Sequence, residues 1–149
     1  MSVHHGNTLK VAQVIAGALG ANVVESDKVN AEDLKNYDLI GFGSGVYNWK
    51  LHGELLRLAD SLPELSDKKA FIFSTSGYTK QNIIKWHASL REKLTEKGLK
   101  IVGEFNCVGW DSNGPLKLVG GINKNRPNAQ DLENAAAFAK KLIKKIYEN

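Results

Sequence analysis

Apolar positions along the chain fall into two alternating rhythms. From Thr8 onward, Val11, Ala12, Ile15, Ala18 and Leu19 recur at the spacing of one helix face, and Gly20 ends the run. Residues 38–43 (Asp-Leu-Ile-Gly-Phe-Gly) are instead a nearly continuous apolar run closed by glycine, which predicts a buried strand. The alternation continues to the end. Val23 and Val24 predict a short strand over 22–25, and 33–36 a helical turn. Residues 51–62 predict a helix with Leu55, Leu58, Ala59 and Leu62 on one face, stopped by Pro63. Ala70-Phe71-Ile72-Phe73 predicts a third strand, and 81–97 a helix that turns Ile83, His87, Leu90 and Leu94 inward before Gly98. Residues 100–107 predict a fourth strand. A last helix follows the N-cap residue Asn128 and buries Leu132, Ala135, Ala139, Leu142, Ile143 and Ile146.

Strands that are apolar throughout, each followed by a helix, predict an α/β fold with a doubly wound parallel sheet covered on both faces. At 149 residues the chain is expected to form a single domain, 1–149. A long Gly/Asn/Pro-rich stretch, 108–128, stands apart from the alternation. A structureless loop of that length is unusual unless functional.

Composition narrows the setting. With 42% apolar and 24% charged residues the chain is an ordinary globular one. No apolar run approaches the roughly 20 residues of a membrane span, and no signal peptide is visible. The single cysteine, Cys107, excludes an internal disulfide and reads as a buried structural thiol; a cytoplasmic location is expected. The net charge of +4 favours anionic partners such as nucleotides and phosphates, without pointing to nucleic acid or membrane. Lys140, Lys141, Lys144 and Lys145 read as the solvated face of the last helix.

In an open parallel sheet, ligands bind beyond the C-terminal strand ends, so the loops there carry the candidate chemistry. The first is Ser2-Val3-His4-His5-Gly6-Asn7-Thr8, ahead of a helix whose N-terminus offers unpaired N–H groups to a phosphate. Gly6 permits close backbone approach, and Ser2, His4, His5, Asn7 and Thr8 supply hydrogen-bonding side chains. The second is Ser44-Gly45-Val46-Tyr47-Asn48-Trp49, where small residues and two aromatics suit a flat ring. The third is Ser74-Thr75-Ser76-Gly77-Tyr78, built in the same way. Each alone is an ordinary cap or turn; together they describe a site for a mononucleotide with a large aromatic ring.

On these residues the chain resembles the flavodoxin-like family over nearly its whole length. The family's phosphate signature, close to Ser/Thr-x-Thr-Gly-Asn-Thr, ends as Gly6-Asn7-Thr8 does, with His5 in place of the usual threonine and Ser2 one residue farther upstream. The resemblance implies a three-layer α/β/α fold with strand order 2-1-3-4-5 and noncovalent FMN. Phosphate contacts would come from His4, His5, Asn7 and Thr8, and ring contacts from Gly45, Val46, Tyr47, Asn48, Gly77 and Tyr78. The implied role is that of an electron carrier working with a redox partner protein. A flavin-dependent NAD(P)H:quinone-type reductase and a flavin-less interaction protein are the alternatives. No catalytic residue and no metal site are expected. Gly109-Trp110-Asp111 either covers the ligand edge or packs the sheet end.

Four strands are visible where the family has five, and the one not seen is the central first strand. An empty slot there would orphan backbone groups at roughly 1–3 kcal/mol each, against a total stability of about 5–15 kcal/mol. Three arrangements avoid this: an apolar strand upstream of Met1, closure of the gap by the neighbouring strands, or a strand supplied in trans by a homodimer partner. Of the other residues, His87 reads as a hydrogen-bonded core histidine and His52 as a surface residue. Trp86 falls off the apolar helix face and marks either a partner surface or nothing. The absence of a G-x-S-x-G elbow leaves a hydrolase triad unsupported.

Overall fold

The structure, a computed structural model, describes residues 6–78, 83–112 and 114–147. In chain order its elements are α1 (Asn7–Leu19), two short 3-10 helices (Ser26–Lys28 and Ala31–Asn36), β1 (Leu39–Tyr47), β2 (Lys50–Leu51), α2 (Gly53–Ser61), β3 (Lys69–Ser76), α3 (Ile83–Glu96), β4 (Lys100–Val108), a further 3-10 helix (Gly114–Val119) and α4 (Ala129–Tyr147). The sheet order is β2-β1-β3-β4. β1, β3 and β4 run parallel, as the continuous apolar runs predict, whereas β2 folds back antiparallel on the end of β1.

Two apolar cores, one on each sheet face, make the structure three layers deep. Ile40, Phe42, Ala70 and Ile72 point to the face covered by α2 and α3, where they meet Leu55, Ala59, Leu90 and Leu94. Phe71, Phe73, Phe105 and Cys107 point to the other face and pack on Val11 and Ile15 of α1 and Ala135, Ala139 and Leu142 of α4. The alternation Ala70/Ile72 against Phe71/Phe73 is the period of two expected of a strand, and burial on both faces is why β3 carries no polar stripe. Gly41 and Gly43 stand opposite Phe71 and Phe73 in register. A Cβ at either glycine would fall inside the facing phenyl ring, so bare backbone there is what lets the two rings lie across β1.

The strand expected at 22–25 does not form. The segment is irregular, with Val23 43% and Val24 58% exposed. A strand must share its N–H and C=O groups with a neighbour, and β-propensity measures fit to a sheet rather than a backbone preference. Among the described residues, β1 is paired over Leu39–Gly45 by β3 alone, so these valines have no ladder to join. The fourth strand is instead the two-residue β2, whose Leu51 the apolar spacing assigns to the start of the helix 51–62. The long stretch after β4 contains the Gly114–Val119 helix and a bridge between Asp111 and Ile122. Among the described residues no helix is long and apolar enough to cross a membrane, and no group of His, Cys, Asp and Glu could hold a metal.

Candidate functional site

The parallel strands and the start of α1 open onto one cleft. At its inner end Gly6 caps α1 in the left-handed conformation (φ 63°), with no side-chain cap and no acidic residue in the first turn. The first intrahelical bond runs from the Lys10 N–H to the Gly6 carbonyl. The N–H groups of Asn7, Thr8 and Leu9 therefore lie ahead of the helix's own ladder, at the positive end of its dipole. Two bonds fix this end in place: Thr8 Oγ1 lies 2.8 Å from Thr75 Oγ1 at the end of β3, and Asn7 Nδ2 donates to the Trp110 carbonyl at 2.7 Å.

One wall is the β1–β2 hairpin. Tyr47 and Lys50 close it, and both central residues have positive φ, 48° for Asn48 and 65° for Trp49. That is the type I′ geometry matching strand twist; asparagine suits its first position, whereas glycine, not tryptophan, usually fills the second. Trp49 stacks on Tyr78 across the cleft mouth, with centroids 5.2 Å apart at 21°, and lies tilted against Trp86 at 6.3 Å. A ring entering between Trp49 and Tyr78 must part them, which forfeits about 0.5–1.5 kcal/mol of stacking. Tyr47 lies back along its strand, so that a Cβ on Gly45 would come 2.5 Å from its hydroxyl.

The opposite wall is the turn after β3, anchored from within by a polar network. Ser74 and His87 are fully buried. Ser74 Oγ lies 2.7 Å from His87 Nε2, and His87 Nδ1 lies 2.9 Å from Glu104 Oε2. Arg91 clamps the same carboxylate at 2.6 and 2.8 Å. Burial holds His87 below the ordinary histidine value, against the opposing pull of Glu104, so its ring is neutral near pH 7. Burial alone would raise the Glu104 carboxyl, but the bonds from Arg91 and His87 outweigh it and keep it below the usual 4.5. The donors then run one way: His87 Nδ1–H to Glu104, Ser74 O–H to His87, and Asn106 Nδ2 to Ser74 Oγ at 2.9 Å. Ser76 completes the network by donating to the Tyr78 carbonyl at 2.7 Å. Serine, histidine and carboxylate have the spacing of a nucleophile, base and orienter, but Ser74 is sealed from solvent and serves to hold the strand end.

Residues 109–111 close the far side. The Gly109 N–H donates to the Ser76 carbonyl at 2.8 Å, and a Cβ there would press on Asn7. The Asp111 carboxylate lies over Gly77, where a Cβ would meet Oδ2 at 2.5 Å. The result is a small inner pocket at Asn7, Thr8, Gly45, Thr75 and Gly109, which shares the walls Val46, Tyr47, Ser76, Gly77 and Asp111 with an outer cavity of about 520 Å³. Asn48, Trp49, Tyr78, Trp86, Pro115 and Leu116 complete the outer cavity, whose size suits a small organic ligand.

Of the residues expected at the site, Asn7, Thr8, Gly45, Val46, Tyr47, Asn48, Trp49, Thr75, Ser76, Gly77 and Tyr78 line this cleft, and Gly6 adjoins it. Ser2, His4 and His5 lie outside the described residues. Ser44 and Ser74 do not reach the cleft, because alternation along a strand turns both inward. The Ser44 hydroxyl donates to the Gly45 carbonyl and accepts from the His52 N–H. Trp86 is a buried wall residue rather than a surface one, and His52 caps α2 through Nδ1 while its ring meets Tyr47 edge-on. Gly109, Trp110 and Asp111 pack against the sheet end and line the inner pocket. Pro115 and Leu116 were missed; the only signal was a functional-length loop after the last strand.

The chain belongs to the flavodoxin domain family, whose match covers residues 1–110. It is 46% identical over 143 residues to an uncharacterized protein of Methanocaldococcus jannaschii, spanning 96% of this chain and 94% of that one. Among solved structures it is similar to oxidised flavodoxin 1 from Bacillus cereus (TM-score 0.67, 22% identity, 96% of this chain and 93% of that one). It is also similar to a Fusobacterium nucleatum flavodoxin bound to flavin mononucleotide (TM-score 0.68, 11% identity, 97% and 94%). The fold is the flavodoxin-like three-layer α/β/α arrangement.

Proposed function

We propose that the cleft binds FMN noncovalently and that the protein is an electron carrier. The observation behind this reading is convergence: a helix N-terminus whose glycine cap makes no side-chain bond, a glycine-bearing aromatic hairpin and a Gly77-Tyr78 turn open on two adjoining cavities with shared walls. The residues fit the group. The N–H groups at Asn7–Leu9 suit a doubly charged phosphate, and Trp49 and Tyr78 supply faces for a flat ring beside Tyr47 and Asp111, which cover the bare backbone of Gly45 and Gly77. The bound flavin would supply the redox chemistry. The chain holds the phosphate, orients the ring and excludes water. His87, Ser74 and Asn106 fix the wall that carries Tyr78, and no side chain is needed as an acid or base.

The test is purification followed by FMN titration, read by flavin absorbance and fluorescence quenching. One equivalent of FMN bound tightly, with riboflavin bound more weakly, supports the reading. A protein that quenches neither ligand refutes it. Rapid reduction of the bound flavin by NADH or NADPH would favour the reductase over the carrier.

A further inference from the structure

Three lysines of the chain's positive excess adjoin residues that line the cleft. Lys50 pairs across the hairpin with Tyr47. Opposed residues point to the same side of a ribbon, so Lys50 stands on the side from which Tyr47 lines the cleft. Lys117 follows Leu116 in the 3-10 helix whose Pro115 and Leu116 wall the outer cavity. Lys124 holds its Nζ 6.0 Å from the centre of the Trp110 ring, another lining residue. All three are exposed, and none forms an ion pair among the described residues. The one carboxylate among the described lining residues, Asp111, lies deeper, half-buried beside Gly77. Arg126 is occupied by Asp131.

Exposed apolar side chains accompany these cations. Trp49 and Tyr78 are exposed at the mouth, and Leu118 and Val119 are 91% and 74% exposed on the same short helix as Lys117. At about 2 Å per residue that helix spans roughly 12 Å, which keeps both side chains close to the cleft wall. An aromatic and aliphatic centre inside a charged rim is the anatomy of a protein interface. The charge selects the partner, because like charges brought together across an interface are costly. We infer that the mouth of the cleft docks an acidic electron-transfer protein, whose carboxylates meet Lys50, Lys117 and Lys124. The electron's role rests on the FMN reading above; the surface argument does not.

The probe is cytochrome c in two forms, native and basic or succinylated and acidic, which share one haem. Binding is read first without flavin, as quenching of tryptophan fluorescence by the haem. The succinylated form is expected to bind at least about tenfold more tightly at low salt, with the preference lost near 1 M salt, where the Debye length is about 3 Å. K50E/K117E/K124E should invert the preference. With FMN loaded and reduced by dithionite, one electron passes from the flavin to the ferric haem, giving ferrous haem, and the succinylated form should react faster. Equal binding of the two forms, or a triple variant that keeps the wild-type preference, overturns the inference. A charge preference in a chain that holds no FMN upholds the surface and refutes the flavin reading instead.

Discussion

Replacing His87 with leucine tests the buried network directly. The two side chains have similar volumes, so the cavity term is small and the polar terms dominate. Ser74 loses the acceptor 2.7 Å away and keeps a hydroxyl proton with no partner in a fully buried position, which costs about 1–3 kcal/mol. Glu104 loses one of three donors, a bond to a charged acceptor worth about 1.5–3 kcal/mol. Burial of leucine returns about 1.5–2 kcal/mol of this. The expected net loss is about 0.5–4.5 kcal/mol out of a domain stability of about 5–15. A second signature separates this account from simple mispacking. Burial holds His87 below 6.5 in the folded chain, so as pH falls through about 6.5 the unfolded chain takes up a proton before the folded one does. Stability must then fall with pH in that window, by at most about 1.4 kcal/mol per unit from this group, and level off below the folded value. Glu104, held below 4.5, loses its contribution only at lower pH. Urea unfolding followed by tryptophan fluorescence, repeated between about pH 5 and pH 7, measures both effects, with a constant m-value as the control. A leucine variant at least as stable as wild type, or one with the wild-type pH slope, would refute the reasoning.

Three further outcomes are expected. Gly43→Ala places a methyl group inside the Phe73 ring and should cost at least about 1–3 kcal/mol; Phe73→Leu in the same chain should recover part of it in thermal melts, and no recovery would argue against the clash. Thr8→Val removes the hydroxyl that is bonded to Thr75 and that, on the FMN reading, would also bond the phosphate; it should weaken FMN about tenfold or more by calorimetry, since hydrogen bonds to charged groups are worth about 1.5–3 kcal/mol; unchanged affinity would place the phosphate elsewhere. Trp49→Gly trades about 1–3 kcal/mol of backbone strain for a similar loss of stacking and burial, so stability should move by less than about 1.5 kcal/mol while flavin affinity falls; a large stability loss would mean the tryptophan is not strained.

The elements that could be read from the sequence are those whose cause is local. Runs such as Ala70-Phe71-Ile72-Phe73 need burial on both faces, and Gly20 and Pro63 mark their helix ends wherever the chain goes. Gly6-Asn7-Thr8 and the two aromatic loops announced the cleft because small residues after an apolar strand have few other uses. What escaped depended on distant chain. Val23 and Val24 have the right propensity but no neighbouring ladder. The hairpin went unseen because its turn carries Trp49 where glycine is usual. Ser44 and Ser74 were assigned outward because composition does not say which side of a strand end faces the ligand. Pro115 and Leu116 reach the site only through the tertiary path of the segment after β4.

The position of β3, laddered on both edges and buried along nearly its whole length, has a consequence for the order in which the molecule exchanges its amide hydrogens. Its protons escape only when the whole body opens, so their exchange rates read the global unfolding free energy, whereas those of residues 22–25 exchange almost as fast as a free peptide's. Deuterium uptake along this chain is therefore a map of distance from one strand, and any ligand that steadies the cleft will slow uptake first at the ends of β1 and β3.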